Sequence, residues 1–269
     1  MIKLATIAGS DASGGAGLEA DLKTFQEYGV YGMAAVTVIA TMNPDKEWGH
    51  EVFPLDEQTI RAQLETIFKG IRVNAAKTGM LATNYAVELS AEYLKKYNVE
   101  NYVLDPVMVC KGGDLALNPE LNNLIIKKLL PLAKLITPNL FEAGQIAKMP
   151  TPSTIEEIKE ACKIIHGMGV PYVFIKGGPK LNGEQSAIDI FYDGEQFLKV
   201  EGGLIDTRWT HGAGCTTAAA IAAGLGIGLE PYEAVRRAKK FITLSLQNGF
   251  QLNKWVGPGN PAAWRKSFN

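Results

Sequence analysis

The sequence predicts an α/β fold built on a mainly parallel sheet with helices on both faces. Short aliphatic runs alternate with amphipathic stretches along most of the chain. The runs are apolar at successive positions, as strands buried on both faces require, and glycine-rich turns follow several of them. A chain of 269 residues can bury an ample core as one unit. No repeat, linker or low-complexity tract interrupts it, so one domain over 1–269 is expected.

LATIA (4–8) reads as the first strand, followed by a helix near 16–28. AAVTVIAT (34–41) precedes a helix over 57–69, and VNAAKT (73–78) precedes one over 84–97. NYVLDPV (101–107) and KLITP (134–138) continue the strand series, and a helix over 154–168 comes before YVFIK (172–176). IDIFY and QFLKV flank Asp193-Gly194, a dipeptide that tolerates positive φ, and read as a small β-hairpin. Helices near 214–227 and 231–248 follow.

Apolar residues make up 46% of the chain and charged residues 20%, which excludes the disordered and membrane classes. The net charge of −1, with no Lys/Arg cluster, offers no footprint for nucleic acid or an anionic membrane, so the expected partner is a small molecule. Cys110, Cys162 and Cys215 form no CxxC pair and read as free thiols in a reducing compartment. MIKLATIAGS lacks a secretory apolar segment, and a cytoplasmic location is expected.

Ligands of open α/β sheets sit beyond the carboxyl ends of the strands. The segments there are GSDASGGAG (9–17), TMNP (41–44), KTGM (77–80), DPVMVCKGG (105–113), TPNLFE (137–142), KGGPK (176–180) and THGAGCT (210–216). Unpaired amides and about half a positive charge at a helix start let glycine loops receive an anion. GSDASGGAG and THGAGC both suit that task. No GxxxxGK[ST] occurs, which argues against a P-loop enzyme. Gly15-x-Gly17-x-x-Ala20 is a partial dinucleotide fingerprint, but no acid ends the next strand to hold a ribose. Asn139 and Glu142 share a helix face that could hold hydrated magnesium, with Asp105 on the same sheet edge. Capping by Asn139 and Glu142 is the alternative.

These motifs in this order, GSDASGGAGLEADLKTF, KTGM, DPVMVCKGG, TPNLFEA, KGG and THGAGCT, resemble the ribokinase-like kinases of the branch containing hydroxymethylpyrimidine kinase and the bacterial pyridoxal/pyridoxine kinases. The similarity runs from about residue 3 to 258. The resemblance implies a three-layer sandwich and an ATP-dependent kinase that phosphorylates the 5′-hydroxymethyl group of pyridoxal or pyridoxine. It also implies Mg²⁺ at Asp105 and Glu142, ATP contacts from Asn139, Lys176, Gly178 and Thr216, and a homodimer. Hydroxymethylpyrimidine or its monophosphate is the alternative substrate, and a non-catalytic vitamin B6 binding protein a more distant one. A Cys-His acyl-transferase built on Cys215 and His211 lacks a third residue to orient the histidine.

Many ribokinase-like enzymes carry an aspartate base where this chain has Cys215, as is usual in this branch. A thiol at a helix start is expected to shift from about 8.5 toward neutrality and, as thiolate, to take the substrate hydroxyl proton. His211 would assist, while the amides of Gly212, Ala213, Gly214 and Cys215 would receive the migrating phosphoryl group. By the same resemblance Cys110 would add reversibly to the pyridoxal aldehyde, and Lys111 would face the incoming phosphate. Asp11 would bond a ring substituent and Met80 would pack on the ring. Met42, in IATMNP, stands where a polar group would contact an aminopyrimidine, which favours pyridoxal. Cys162, in a helical run, reads as a buried hydrophobe.

Overall fold

The computed structural model describes residues 1–108, 119–178, 181 and 186–267. Among the described residues nine strands form one sheet in the order β3-β2-β1-β4-β5-β6-β7-β8-β9. The parallel part comprises β1 (Lys3–Asp11), β2 (Tyr31–Asn43), β4 (Ala75–Thr78), β5 (Tyr102–Leu104), β6 (Leu135–Ile136) and β7 (Tyr172–Ile175). Antiparallel strands finish both edges. β3 (Gly49–Pro54) folds back on β2, while β8 (Ala187–Tyr192) and β9 (Phe197–Gly202) form the hairpin that Asp193-Gly194 announces.

Two-residue alternation splits each parallel strand between two cores. Ala5, Ala76, Leu104, Ile136 and Val173 face one core. There they meet α2 (Glu57–Leu64), α3 (Asn84–Lys96), α4 (Pro119–Lys128), α5 (Leu140–Ala147) and α6 (Ile155–His166). Leu4, Ala75, Val103, Leu135 and Phe174 face the other, under α1 (Gly17–Glu27), α7 (Ala213–Gly226) and α8 (Pro231–Gln247). A short α9 (Ala263–Lys266) adds Trp264, which stacks on Tyr28. Helices on both faces of one sheet make the expected three layers.

Four features differ from the sequence reading. β3 was absent from it, because GHEVFP is short and half-exposed and lacks a continuous apolar run. α4 was absent too, since PELNNLIIKK buries only Ile125 fully. The short α9 was likewise unforeseen. The helix expected over 57–69 changes pitch at Glu65, where a single π-helical turn runs to Lys69. No helix among the described residues is long and apolar enough to cross a membrane.

The same alternation positions the site. One residue beyond Leu104 lies Asp105, one beyond Ile136 lies Thr137, and one beyond Ile175 lies Lys176. Their pairing continues the ladder, with Asp105 donating its amide to Thr78 O, Thr137 to Leu104 O, and Lys176 to Pro138 O. All three, with Lys77 two residues after Ala75, therefore fall on the α7 side at the strands' carboxyl ends.

Candidate active site

Asp11 ends β1 just past a register shift against β2 between Ala8 and Ser10, an irregularity that re-aims the strand end. Its carboxylate organises the following turn: Oδ1 accepts from the Ser13 amide at 2.8 Å and Oδ2 from the Ala16 amide at 2.8 Å. Oδ2 also lies 2.7 Å from His211 Nε2. Burial works to raise the Asp11 carboxyl, but the His211 and Ser13 bonds outweigh it and hold it at about 2. Glu19, in the first turn of α1, accepts from Ser10 Oγ at 2.6 Å and from the Asp11 amide at 2.7 Å, fixing the strand end from the other side.

His211 and Gly212 lead directly into α7. Gly212 takes φ +75, and a Cβ there would run into the Gly15 carbonyl oxygen. Only glycine lets the two loops close on each other in this way. Among the described residues no side chain caps α7. The Ala213 amide donates to Thr210 O at 3.2 Å and Thr216 begins the in-helix ladder on Gly212 O, so the amides of Gly214 and Cys215 head the helix. Of the four amides expected to receive a phosphoryl group, Ala213 is thus turned to a protein acceptor.

A chain of charges lies beneath this helix start. Lys77, fully buried, reaches Asp21 of α1 at 2.9 Å and Asp105 at 3.9 Å. Burial tends to neutralise the ammonium, but Asp21, Cys215 and Asp105 together raise its pKa and keep it charged. Asp21 is raised by burial while Lys77 and the Thr6 hydroxyl, 2.6 Å away, pull it back. Lys176 stands 3.3 Å from the other oxygen of Asp105, and its Nζ would lie 3.5 Å from a Cβ on Gly214. An ammonium group therefore sits at the mouth of α7.

The Cys215 thiol departs from expectation. Burial pushes it up to about 11, Asp105 and Asp21 add to the rise, and Lys77 with the Gly17 amide only partly offsets it. Desolvation and the two carboxylates thus outweigh the Lys77 ammonium and the Gly17 amide at this helix start.

Asn139 and Glu142 form the capping box weighed as the alternative. Asn139 Oδ1 accepts from the Glu142 amide at 2.9 Å, and Glu142 Oε2 from the Asn139 amide at 2.8 Å. Burial raises the Glu142 carboxyl to about 7, Asp105 adds to the rise and Lys176 opposes it. Asp105 and Glu142 nevertheless bring two carboxyl groups, hard oxygen donors, close enough to repel each other on one sheet edge, and such donors suit a hydrated Mg²⁺. Among the described residues no group of three or more His, Cys, Asp or Glu side chains could hold an ion alone, so phosphate oxygens and water would have to complete the shell.

On the opposite side, Met42 of β2 pairs in register with His50 of β3. The His50 ring stands edge-on to His211 at 6.5 Å. Burial lowers the His50 pKa and nearby His211 adds to the shift, with Asp11 opposing. Met80 accepts at its carbonyl from Thr37 Oγ1 at 2.7 Å, and its sulfur faces Gly9 on β1. Thr216 is buried in the first turn of α7, Gly178 closes the turn after Lys176, and Asn139 is exposed beside Lys176. Cys110 and Lys111 lie outside the described residues. Cys162 is buried among α6 core residues, its thiol raised by burial to about 12, as a packing cysteine should be.

From the sequence Lys77 and Asp21 have no role, and His50, with Trp48, is marked only as a residue that could order the flap after the second strand. A signal existed for two of them: a lysine inside the fully buried strand AAKT needs a counter-ion, and Asp21 lies on the Leu18–Phe25 buried stripe of α1. His50 has no such signal for the site itself, because β3 lacks the apolar run of a buried strand. The described residues also line two cavities outside the cluster. One of about 670 Å³, lined by residues such as Arg72 and Tyr97, lies at the strands' amino ends, away from the motifs. The other, of about 440 Å³, lies between Ile205–Trp209 and Leu246–Gly249, beside the approach to His211.

Residues 11–260 match the phosphomethylpyrimidine kinase family. The chain is 55% identical to a putative pyridoxine kinase of Treponema pallidum, over 100% of both chains. The crystal structure of an ADP complex of Bacillus subtilis pyridoxal kinase superposes with TM-score 0.95 at 52% identity, covering 98% of this chain and 99% of that one. The pyridoxal kinase of Staphylococcus aureus in complex with AMP-PCP and pyridoxal gives TM-score 0.93 at 43% identity, covering 99% and 95%. With two glycine loops clasped over a buried charge cluster and similarity along its whole length, the chain belongs to the phosphomethylpyrimidine kinase family.

Proposed function

We infer that the chain is one ATP-dependent kinase domain that phosphorylates the 5′-hydroxymethyl group of pyridoxal or pyridoxine. The observation that carries this reading is the Lys176 ammonium at the uncapped start of α7, with Asp105 3.3 Å behind it. Helix-start amides that no described residue caps and an ammonium converge where a migrating phosphoryl group needs charge stabilisation, the dominant requirement of such reactions. Whole-chain similarity to pyridoxal and pyridoxine kinases supports the substrate class.

In the proposed reaction the substrate hydroxyl oxygen attacks the γ-phosphorus, the bond to the β-phosphate bridging oxygen breaks, and ADP leaves. Gly214 and Cys215 amides, with Lys176, hold the phosphoryl oxygens. Cys215 is the candidate acceptor for the hydroxyl proton, drawn toward its anion by Lys77 and the Gly17 amide. Asp105 and Glu142 would hold Mg²⁺, which when bound neutralises phosphate charge. Asn139, Gly178 and Thr216 are the remaining nucleotide candidates. Asp11, oriented by His211, would accept from a ring substituent, and Met42, Met80 and His50 would shape the ring site. Cys110 would form a C–S bond to the pyridoxal aldehyde, its proton passing to the aldehyde oxygen.

Exposed Ile39 and Phe53 on the β2–β3 edge support a homodimer through that edge. Equilibrium sedimentation tests it. The function itself is tested by ATP-dependent phosphorylation of pyridoxal, pyridoxine and hydroxymethylpyrimidine side by side. We expect kcat/KM to be highest for a B6 vitamer; clear preference for the pyrimidine assigns the chain to the thiamine route instead. Tight pyridoxal binding without turnover of any alcohol would identify a carrier.

A further inference from the structure

Two charges outside the site hold the KGG turn at the end of β7. Gly178 adopts φ +59, and its amide donates to Asp189 Oδ1 at 3.1 Å. Asp189 lies on β8, on the α8 side, and is only 5% exposed. Its second oxygen accepts from Lys239 Nζ of α8 at 2.7 Å, and the same ammonium donates to the Ala187 carbonyl at 3.3 Å. The Lys239 stem crosses Gly202, the last residue of β9, where a Cβ would stand 2.7 Å from Lys239 Cε. From Gly202 the chain runs through 203–210 into His211 and Gly212. One lysine therefore bonds the carboxylate that anchors Lys176–Gly178 and packs its stem against the root of the segment that leads to α7.

A buried carboxylate needs a partner, and an apolar residue at position 189 would satisfy the core as well as this ion pair does. What an apolar residue cannot do is accept from the Gly178 amide. An amide in a left-handed turn at an open sheet edge can point to water; anchored on Asp189, it points one way.

We propose that Asp189 and Lys239 are positioning residues for nucleotide binding, Asp189 setting the KGG turn through the Gly178 amide and Lys239 holding Asp189 and the root of the α7 approach. Neither touches reacting atoms. The proposal rests on the reading of Lys176 and Gly178 as nucleotide contacts.

The test compares wild type with Asp189→Ala, Asp189→Asn, Lys239→Met and Lys239→Arg. ADP affinity is read by calorimetry, KM is measured separately for ATP and pyridoxal, and thermal unfolding is recorded for each. Loss of one charge-assisted anchor should weaken ADP and raise the ATP KM about tenfold in Asp189→Ala, with the pyridoxal KM within about twofold of wild type. Asp189→Asn keeps an oxygen for the Gly178 amide and should recover most of that loss. Lys239→Met should weaken ADP about three- to tenfold, and Lys239→Arg should restore it. Unchanged ADP affinity in Asp189→Ala or Lys239→Met, a pyridoxal KM that rises in step with that of ATP, or an Asp189→Asn no better than Asp189→Ala overturns the proposal. If Asp189→Ala does not fold, Lys239→Met against Lys239→Arg decides by the same split. Failure of the underlying functional reading looks different, because wild type itself then binds no ADP, and both ideas fall together.

Discussion

His211 Nε2 lies 2.7 Å from Asp11 Oδ2 across 200 positions of sequence, and this bond ties the first glycine loop to the last. Asp11 already organises the first loop from within, and through this bond it also reaches the last. The pair thus does for the site what packing does for the core: it fixes where β1 ends relative to where α7 begins.

The bond has a pH signature. Asp11 is depressed from 3.8 to about 2, so its folded form favours the anion, and the stabilisation is fully present above about pH 4 and lost as pH falls through about 2. For a buried carboxylate the shift corresponds to about 2 kcal/mol. Urea unfolding followed from pH 5 to 2 should show wild type losing that much more stability than Asp11→Asn. Parallel curves for the two proteins would remove His211 and the Ser13 amide as the cause.

Cys215 gives the opposite sign. With its thiol pushed up to about 11, the free enzyme holds almost no thiolate at neutral pH. If this sulfur takes the substrate proton, kcat/KM should climb about tenfold per pH unit from pH 7 to 9, since that parameter reports ionisation of the free enzyme. Cys215→Ser should flatten the climb. A plateau near pH 7 in wild type, or an unchanged slope in the serine variant, would show that the proton goes elsewhere. Alkylation of Cys215 by iodoacetamide should be correspondingly slow at pH 7.

The buried Lys77–Asp21 pair has a larger stability consequence than the Asp11 bond. Lys77→Met leaves Asp21 without its counter-ion in a site with no exposure, and removing one partner of such a pair costs about 3–5 kcal/mol. The double variant Asp21→Asn/Lys77→Met should recover part of that loss, because an amide is cheaper to bury than a lone carboxylate. Chemical denaturation of the three variants measures it. Additive losses in the double variant would mean the two residues act independently.

How much of this was readable beforehand divides along physical lines. Patterns set by one residue's neighbours were legible: aliphatic runs gave the parallel strands, Asp193-Gly194 gave the β8–β9 turn, and the glycine loops fell where the sheet edge puts them. Patterns set by distant partners were not. The Cys215 environment depends on Asp21, Lys77 and Asp105, which come from three elements, so the helix start alone suggested the wrong direction for its thiol. Asp105 was read as a metal ligand from its strand end, while its lysine partners at 77 and 176 become visible only once the strands are side by side. β3 is an edge strand whose half-exposed residues lack the buried run that marks the others, so His50 reads from sequence as a flap residue and not as part of the site.

His50 and Met42 carry the last prediction, which concerns substrate choice. Their register across β2 and β3 puts a thioether beside an imidazole whose ring approaches His211, and the thioether has no strong hydrogen-bonding group to offer an exocyclic amine. A ring bearing such an amine would bury it unpaired, whereas pyridoxal has none at stake. Met42→Gln supplies the missing partner without adding much volume. We expect it to raise kcat/KM for hydroxymethylpyrimidine relative to pyridoxal by about tenfold, the scale of one matched hydrogen bond in a specificity pocket. The comparison is made within one enzyme on two substrates, so a general loss of activity cancels. An unchanged ratio would move the determinant away from β2.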